Sequence, residues 1–316
     1  MQVSDVARRK HEIEDRYGPW TAHNIRLQDD VYTIGPDVVG GSEVRLRQIS
    51  QLVSDTAQIP FGQLRILDLG ALEGLFSIEL ARLGASVVAI EGREANIEKI
   101  RFAKEVLELD RLELRLEDVR TLHRDLHGEF DVVLCLGLLY HLDAPDVFLL
   151  LERMRDVCRH VTIVETRVHR YPRARREYQG QPYWGVVGIE PKPGATPLSS
   201  TTLWSSIGNS ESFELTRASL CNALADVGYS SVVECHMPPY LTDEPRGTFV
   251  AFRGSRRSVL TTPAANGRPD DRLDEIPTPM SVAFQRHPAY RFTRDLIPQS
   301  VRRFLKRVFT APSRPS

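Results

Sequence analysis

Residues 66–100 read ILDLGALEGLFSIELARLGASVVAIEGREANIEKI, and this stretch decides the fold. ILDL ends an apolar run of strand length, and Gly70 and Gly74 bracket the turn that follows it. GLFSIELARLG then carries apolar residues at helical spacing, ASVVAIE is a second strand run, and EANIEKI opens a second helical pattern. Strand, helix, strand, helix is the unit of an open α/β sheet, in which ligands bind outside the carboxyl ends of the strands.

The same stretch says which ligand the turn suits. A dinucleotide fingerprint, GxGxxG, would place glycine at positions 70, 72 and 75; positions 72 and 75 are leucines, which disfavours a pyrophosphate cradle. What remains is DxGxxxG, built from Asp68, Gly70 and Gly74, whose glycines let the backbone approach a ligand without phosphate. Glu91 ends the second strand, 21 residues after Gly70, where a carboxylate can accept from both hydroxyls of a ribose. Asp118 lies just past a third strand run, where it can accept from an adenine amino group with the amide of Val119 beside it. Each acid alone also reads as a solvated strand-end residue; the ordered set carries the argument.

Outward from this core the alternation continues. Apolar runs at 64–69, 85–90, 112–116, 130–136 and 161–166 have the continuous Val/Ile/Leu character of strands buried on both faces, with helical patterns between them. Runs at 230–237 and 247–254 close the domain. Residues 167–214, rich in Arg, Pro, Gly and aromatics, interrupt the rhythm and far exceed the usual connection of about 2–6 residues. Placed at the carboxyl end of the fifth strand, such an insertion reads as a substrate lid over the crevice, or as a variable surface loop or dimer contact. Residues 1–60 precede the domain (61–254) as a segment able to cap its ligand, and 255–285 have the composition of a linker.

Composition bounds the function. No run of about 18 apolar residues is present, and the charged start MQVSDVARRKHEIEDRYG has no apolar signal region. Four cysteines without CxxC spacing read as reduced thiols of a cytoplasmic protein. The net charge of −1 divides unevenly. Residues 286–316 carry eight Lys/Arg and one acid, leaving 33 basic and 41 acidic side chains in the body. An acidic body does not suit nucleic-acid binding.

With these residues in place the chain resembles the class I S-adenosylmethionine-dependent methyltransferases, whose first motif is typically DxGxGxG; Leu72 departs from the central glycine. WTAHNIRLQDDVYTIG (20–35), GLLYHLDAP (137–145), VET (164–166) and WSSIGNSESFELTRASL (204–220) resemble a subgroup that includes the tRNA wobble-uridine carboxymethyl-transferring enzymes and many bacterial relatives. The resemblance covers residues 19–254. It implies a Rossmann-like methyltransferase fold: a doubly wound, mostly parallel seven-stranded α/β sheet with a lid insertion and a C-terminal tail. It also implies S-adenosyl-L-methionine as cofactor, in contact with Gly70, Ala71, Gly74, Glu91, Asp118, Val119, Leu136 and Gly137; Asp68 and Gly92 complete the candidate set. In the wobble-uridine enzymes an arginine precedes the asparagine of the last motif and recognises a carboxylated cofactor. Gly208 stands there in this chain, which favours the ordinary cofactor.

Methyl transfer from a sulfonium to a hydroxyl requires alignment and removal of a proton. His141 is the candidate general base, with Tyr140 beside it and Glu165 on the same rim to orient His141 or bind substrate, a structural hydrogen-bonding role explaining Glu165 equally. Holding the cofactor and its loop would account for the same Tyr-His pair. Trp184, Trp204, Asn209 and Phe213 are the candidate substrate residues, suited to a flat or sugar-like molecule, and packing within the lid explains them equally. No metal-ligand spacing accompanies these residues. The expected function is O-methylation of a small molecule such as a sugar or secondary metabolite. The alternatives are tRNA modification and a non-catalytic cofactor-binding or assembly role.

The tail has its own pattern. After Pro298, the residues Val301, Phe304, Leu305, Val308 and Phe309 share one helical face, with Arg302, Arg303, Lys306 and Arg307 between them. This basic amphipathic segment reads as docking on the protein's own body or on a second subunit of a homodimer, or as weak contact with an anionic membrane surface.

Overall fold

The computed structural model describes residues 2–190, 206–238, 246–267 and 272–276. Trp204 and the tail at 286–316 lie outside the described residues. Seven strands form the main sheet: β3 (Arg65–Leu69), β4 (Ser86–Glu91), β5 (Leu112–Leu116), β6 (Phe130–Leu136), β7 (Cys158–Arg167), β11 (Ser231–Cys235) and β12 (Arg246–Phe252), in the order β11-β12-β7-β6-β3-β4-β5. Only β12 runs against its neighbours, so the sheet is mostly parallel, as expected for a Rossmann-like methyltransferase fold.

The central strands are buried on both faces, and alternate residues feed two cores. Ile66, Val87, Val132 and Leu134 join the core beneath α1 (Val3–Tyr17), α2 (Gly41–Ala57), α3 (Leu75–Arg82) and α4 (Glu94–Val106). Leu67, Val88, Val133 and Cys135 join the opposite core, beneath α6 (Asp146–Val157) and α7 (Arg217–Asp226). A one-residue slip in any central strand would exchange these sets, so the pleat and the two helical layers fix the register together. Helix ends are set locally. The Thr216 hydroxyl caps α7 by accepting from the Ser219 amide, and Glu43 accepts from the Gly40 amide at the start of α2.

The interruption at 167–214 contains strands of its own. β8 (Ala174–Tyr178), β9 (Gln181–Ile189) and β10 (Glu211–Leu215) form a separate antiparallel sheet in the order β10-β9-β8. Phe148 of α6 anchors it, with ring centroids 4.9 Å from Tyr178, 4.7 Å from Tyr183 and 6.4 Å from Phe213. Part of the stretch with linker composition is also docked. Glu275 accepts hydrogen bonds from Thr216 and Ser219, both 2.7 Å, and the Asn222 amide pairs with both backbone groups of Leu273. Among the described residues no helix is long and apolar enough to cross a membrane.

Candidate active site

A cavity of about 320 Å³, within the size range of small-molecule sites, opens at the carboxyl ends of β3, β4 and β6. Its floor is the turn after β3. Gly70 adopts φ +68°, a conformation that side chains rarely take, and a Cβ there would crowd Leu138 at 3.1 Å. Leu72, in place of the central glycine of the family motif, holds φ +51°. Its amide donates to Glu91 at 2.9 Å, which links the turn to the end of β4.

Of the ten candidate cofactor residues, Asp68, Gly70, Ala71, Glu91, Gly92, Asp118, Val119, Leu136 and Gly137 all line this cavity. Gly74 does not; it caps α3 at φ +85°, and a Cβ there would meet Ile100 of α4 at 2.8 Å, so its requirement is helix packing. Burial raises the Asp68 carboxyl to about 6, against the hydrogen bonds from Ser77. Burial likewise raises Glu91, against hydrogen bonds from the Leu72 amide, Asn96 and the Arg93 amide. Asp118, the expected adenine acceptor, is paired with Arg120 at the cavity wall. Burial pushes its carboxyl up, but Arg120, with Nη2 2.6 Å away, outweighs this and holds it below the usual range.

His141 and Tyr140 also line the cavity. The partner of His141 is Glu190, which follows β9: its Oε1 lies 3.0 Å from His141 Nδ1, and its Oε2 accepts from the Ser206 amide at 2.9 Å. Burial pushes the Glu190 carboxyl up, but the bonds from His141 and Ser206 prevail and hold it below the ordinary carboxylate range. As an acceptor it places the proton on Nδ1 and leaves Nε2 with a free lone pair. Glu165 takes no part in this pair. It is buried and holds Arg45 at 2.8 Å and Arg246 at 3.1 Å.

Three of the candidate substrate residues lie in the described part of the insertion. Asn209 ties the His141 loop down by donating to the His141 carbonyl at 2.8 Å. Phe213 is fully buried against Phe148, as a packing residue is, and Trp184 is half-buried in β9 and absent from the described cavity wall. Among the described residues of the insertion, Arg167, Ser206 and Ile207 line the cavity.

The structure adds residues that the sequence reading missed: His23, Arg45, Arg167 and Arg246 line the same cavity. His23 arrives there through Glu73, a residue of the glycine turn. The Glu73 carboxylate accepts from the amides of Thr21, Ala22 and His23 and from Lys99 Nζ at 2.9 Å. Burial, aided by Arg45, lowers His23 to about 3, so its ring is neutral. Its Nδ1 accepts from the Leu75 amide at the start of α3, which leaves Nε2–H as the donor. The histidine was visible in the quoted motif; nothing in its spacing showed which element it would meet.

Residues 66–160 match a family model described as a methyltransferase domain. The N-terminal domain of EvdMO1, solved in the presence of SAH and D-fucose, superimposes with a TM-score of 0.61 at 27% identity, covering 81% of this chain and 98% of that one. The chain carries an S-adenosylmethionine-dependent methyltransferase domain. An O-antigen chain terminator bifunctional methyltransferase/kinase of Escherichia coli is 31% identical over 147 residues, 45% of this chain and 19% of that protein. A ubiquinone biosynthesis O-methyltransferase of Maricaulis maris is 38% identical over 92 residues, 28% of this chain and 35% of that protein. The chain therefore spans well under half the length of these curated relatives.

Proposed function

We propose that the protein O-methylates a small molecule, with His141 as the general base and Glu190 as the residue that positions it. The observation that carries this reading is the His141–Glu190 pair on the cavity wall, since a hydroxyl acceptor must lose a proton and a base with a free Nε2 is placed to take it. S-adenosylmethionine, when bound, supplies an activated methyl group on a sulfonium. The glycine turn and the Glu91 carboxylate are suited to hold it: the turn exposes backbone at close range, and Glu91 offers an acceptor beyond its bonds to Leu72 and Arg93. Gly208 supports the ordinary cofactor over a carboxylated one. Its φ of +84° is a backbone conformation in which an arginine would be strained. The solved neighbour that was studied with D-fucose supports a sugar-like acceptor.

The test is a labelled-cofactor assay on cell extract divided into RNA, lipid and small-molecule fractions. Label in the small-molecule fraction, lost in His141→Ala, is the expected result; label in RNA alone would replace this reading with tRNA modification. No turnover with any fraction, with cofactor binding intact, would favour a non-catalytic role.

A further inference from the structure

We propose that residues 206–209 are a clasp joining the cofactor to the general base, pinned at one end by Arg93 and Arg120 and at the other by Glu190 and His141. The base half of this statement rests on the methyl-transfer reading above. At the cofactor end, Arg120 Nη2 donates to the Ile207 carbonyl at 2.8 Å and to Asp118 at 2.6 Å. Arg93 Nη2 donates to the Ser206 carbonyl at 3.3 Å. Bonds from a guanidinium are stronger than those between neutral groups, so the two carbonyls are firmly held. The Ile207 side chain seats on Gly92, close enough that a Cβ on that glycine would meet its Cδ1 at 2.5 Å. Gly92, Asp118, Ser206 and Ile207 all line the cavity, so the clasp forms wall beside the candidate ribose and adenine acceptors.

The same four residues meet the base. The Ser206 amide donates to Glu190 Oε2 at 2.9 Å, and Glu190 Oε1 is the partner of His141 Nδ1. Asn209 Nδ2 donates to the His141 carbonyl at 2.8 Å, and the Ser206 hydroxyl bonds Asn209 Oδ1, which closes the stretch on itself. Arg93 and Arg120 follow β4 and β5, on one side of β3, while His141 follows β6 on the other. The clasp therefore joins both sides of the turn that floors the cavity. Ser206 couples its two ends, with its carbonyl on Arg93 and its amide on Glu190. A movement that lifts Ile207 from Gly92 acts on the Ser206–Glu190 bond one residue away. Bonds linked in this way respond as a unit, and the coupling is reciprocal: what loosens the base end also loosens the hold on the cofactor. Arg120 and Asn209 are thus positioning residues, the first acting on the base and the second on the cofactor, each through the clasp.

The experiment follows release of labelled S-adenosylhomocysteine from the full chain by isotope dilution, in Arg120→Lys, Asn209→Ala and the double variant. Arg120→Lys keeps a cation beside Asp118 without the planar fork that also reaches Ile207. Asn209 is absent from the described cavity wall, yet Asn209→Ala is expected to quicken release about 3- to 10-fold, the scale of one lost hydrogen bond. Arg120→Lys is expected to fall in the same range, and the double variant to exceed the larger single effect by no more than about twofold, as members of one network do. Unchanged release in Asn209→Ala overturns the proposal, and so do single effects that simply multiply. Should Asn209→Ala fail to fold, Ser206→Ala, which removes the hydroxyl bonded to Asn209, takes its place in the cycle. The base end is read as label transfer to the small-molecule fraction with cofactor saturating. There Arg120→Lys is expected to lower the maximal rate about 3- to 10-fold while the amount of fraction giving half-maximal rate stays unchanged. A wild-type maximal rate overturns the link to the base. No transfer by the unsubstituted protein with any fraction removes the methyl-transfer reading and the base half with it, whereas a coupled release cycle supports the cofactor half alone.

Discussion

His141 and Glu190 meet across 49 residues of sequence, and their pairing sets what each substitution should do. His141→Ala is expected to lower turnover by about 10²–10⁴ with cofactor affinity retained. Glu190→Gln removes the negative charge beside the base, so the acid limb of the pH–rate profile should move to lower pH; a contact that merely stabilises the insertion would leave that limb in place. His23 gives a second pH effect, on stability. Its folded pKa of about 3 lies below the unfolded value of 6.5, so the unfolded chain binds a proton that the folded chain refuses. The stabilisation is present above pH 6.5 and is lost as pH falls from there toward 3, by up to about 1.4 kcal/mol per pH unit. His23→Asn keeps an acceptor for the Leu75 amide without titrating, so its urea midpoint should decline less steeply between about pH 6.5 and 4. Parallel declines in the two proteins would show that another group governs acid unfolding. At this scale the acids and glycines of the strand ends were legible, because a strand-turn-helix places them within a few residues of the ligand. Arg45, Arg167 and Arg246 were not, since a lone arginine carries no periodic signal and it is the pairing of β7 with β12, together with the docking of α2, that brings them to one cavity.

Among the elements, the seven main strands were readable from continuous apolar runs, whereas β8 to β10 were not. β8 is ARREY, without a single run of apolar residues, and β9 contains Pro182, Gly185 and Gly188. Two of these breakers have a packing cause: a Cβ on Gly185 would strike the Glu214 carbonyl, and one on Gly188 would strike the Ser212 hydroxyl, so β10 can pair closely only with glycine opposite. Glu73 shows the converse, a residue inside the most readable motif whose task lies elsewhere. It joins the glycine turn, α4 through Lys99, and the segment at 21–23, with Glu73, Lys99 and His23 themselves buried. Glu73→Ala strands Lys99 as a buried charge and should cost about 3–5 kcal/mol in urea denaturation. Replacing Lys99 with methionine in the same chain should recover part of that loss. A single-variant cost below about 1 kcal/mol would mean that the clamp relaxes into water.

For the molecule as a whole, the chain beyond the sheet folds back onto it. Arg272 pairs with Asp226, which also accepts from the Tyr183 hydroxyl, so residues 272–276 tie α7 to the inserted sheet. A chain ending at Gln285 keeps this strap and loses the basic amphipathic tail. If the tail docks on the body, truncation lowers the melting temperature and both forms remain in the supernatant with anionic liposomes at low salt. If it contacts membranes, only the full chain sediments. The position of β12 between β7 and β11 has a consequence for synthesis. Arg45 and Arg246 are 201 positions apart (246 − 45), so at ~5–20 residues per second the ribosome delivers the second roughly 10–40 s after the first. For the last 79 positions of that interval (246 − 167) the edge of β7 stands open, and Glu165 has Arg45 as its partner with Arg246 still to come. Arg246 is therefore the last of the described cavity-lining residues to be made, and a nascent chain owns its glycine turn long before that wall is complete.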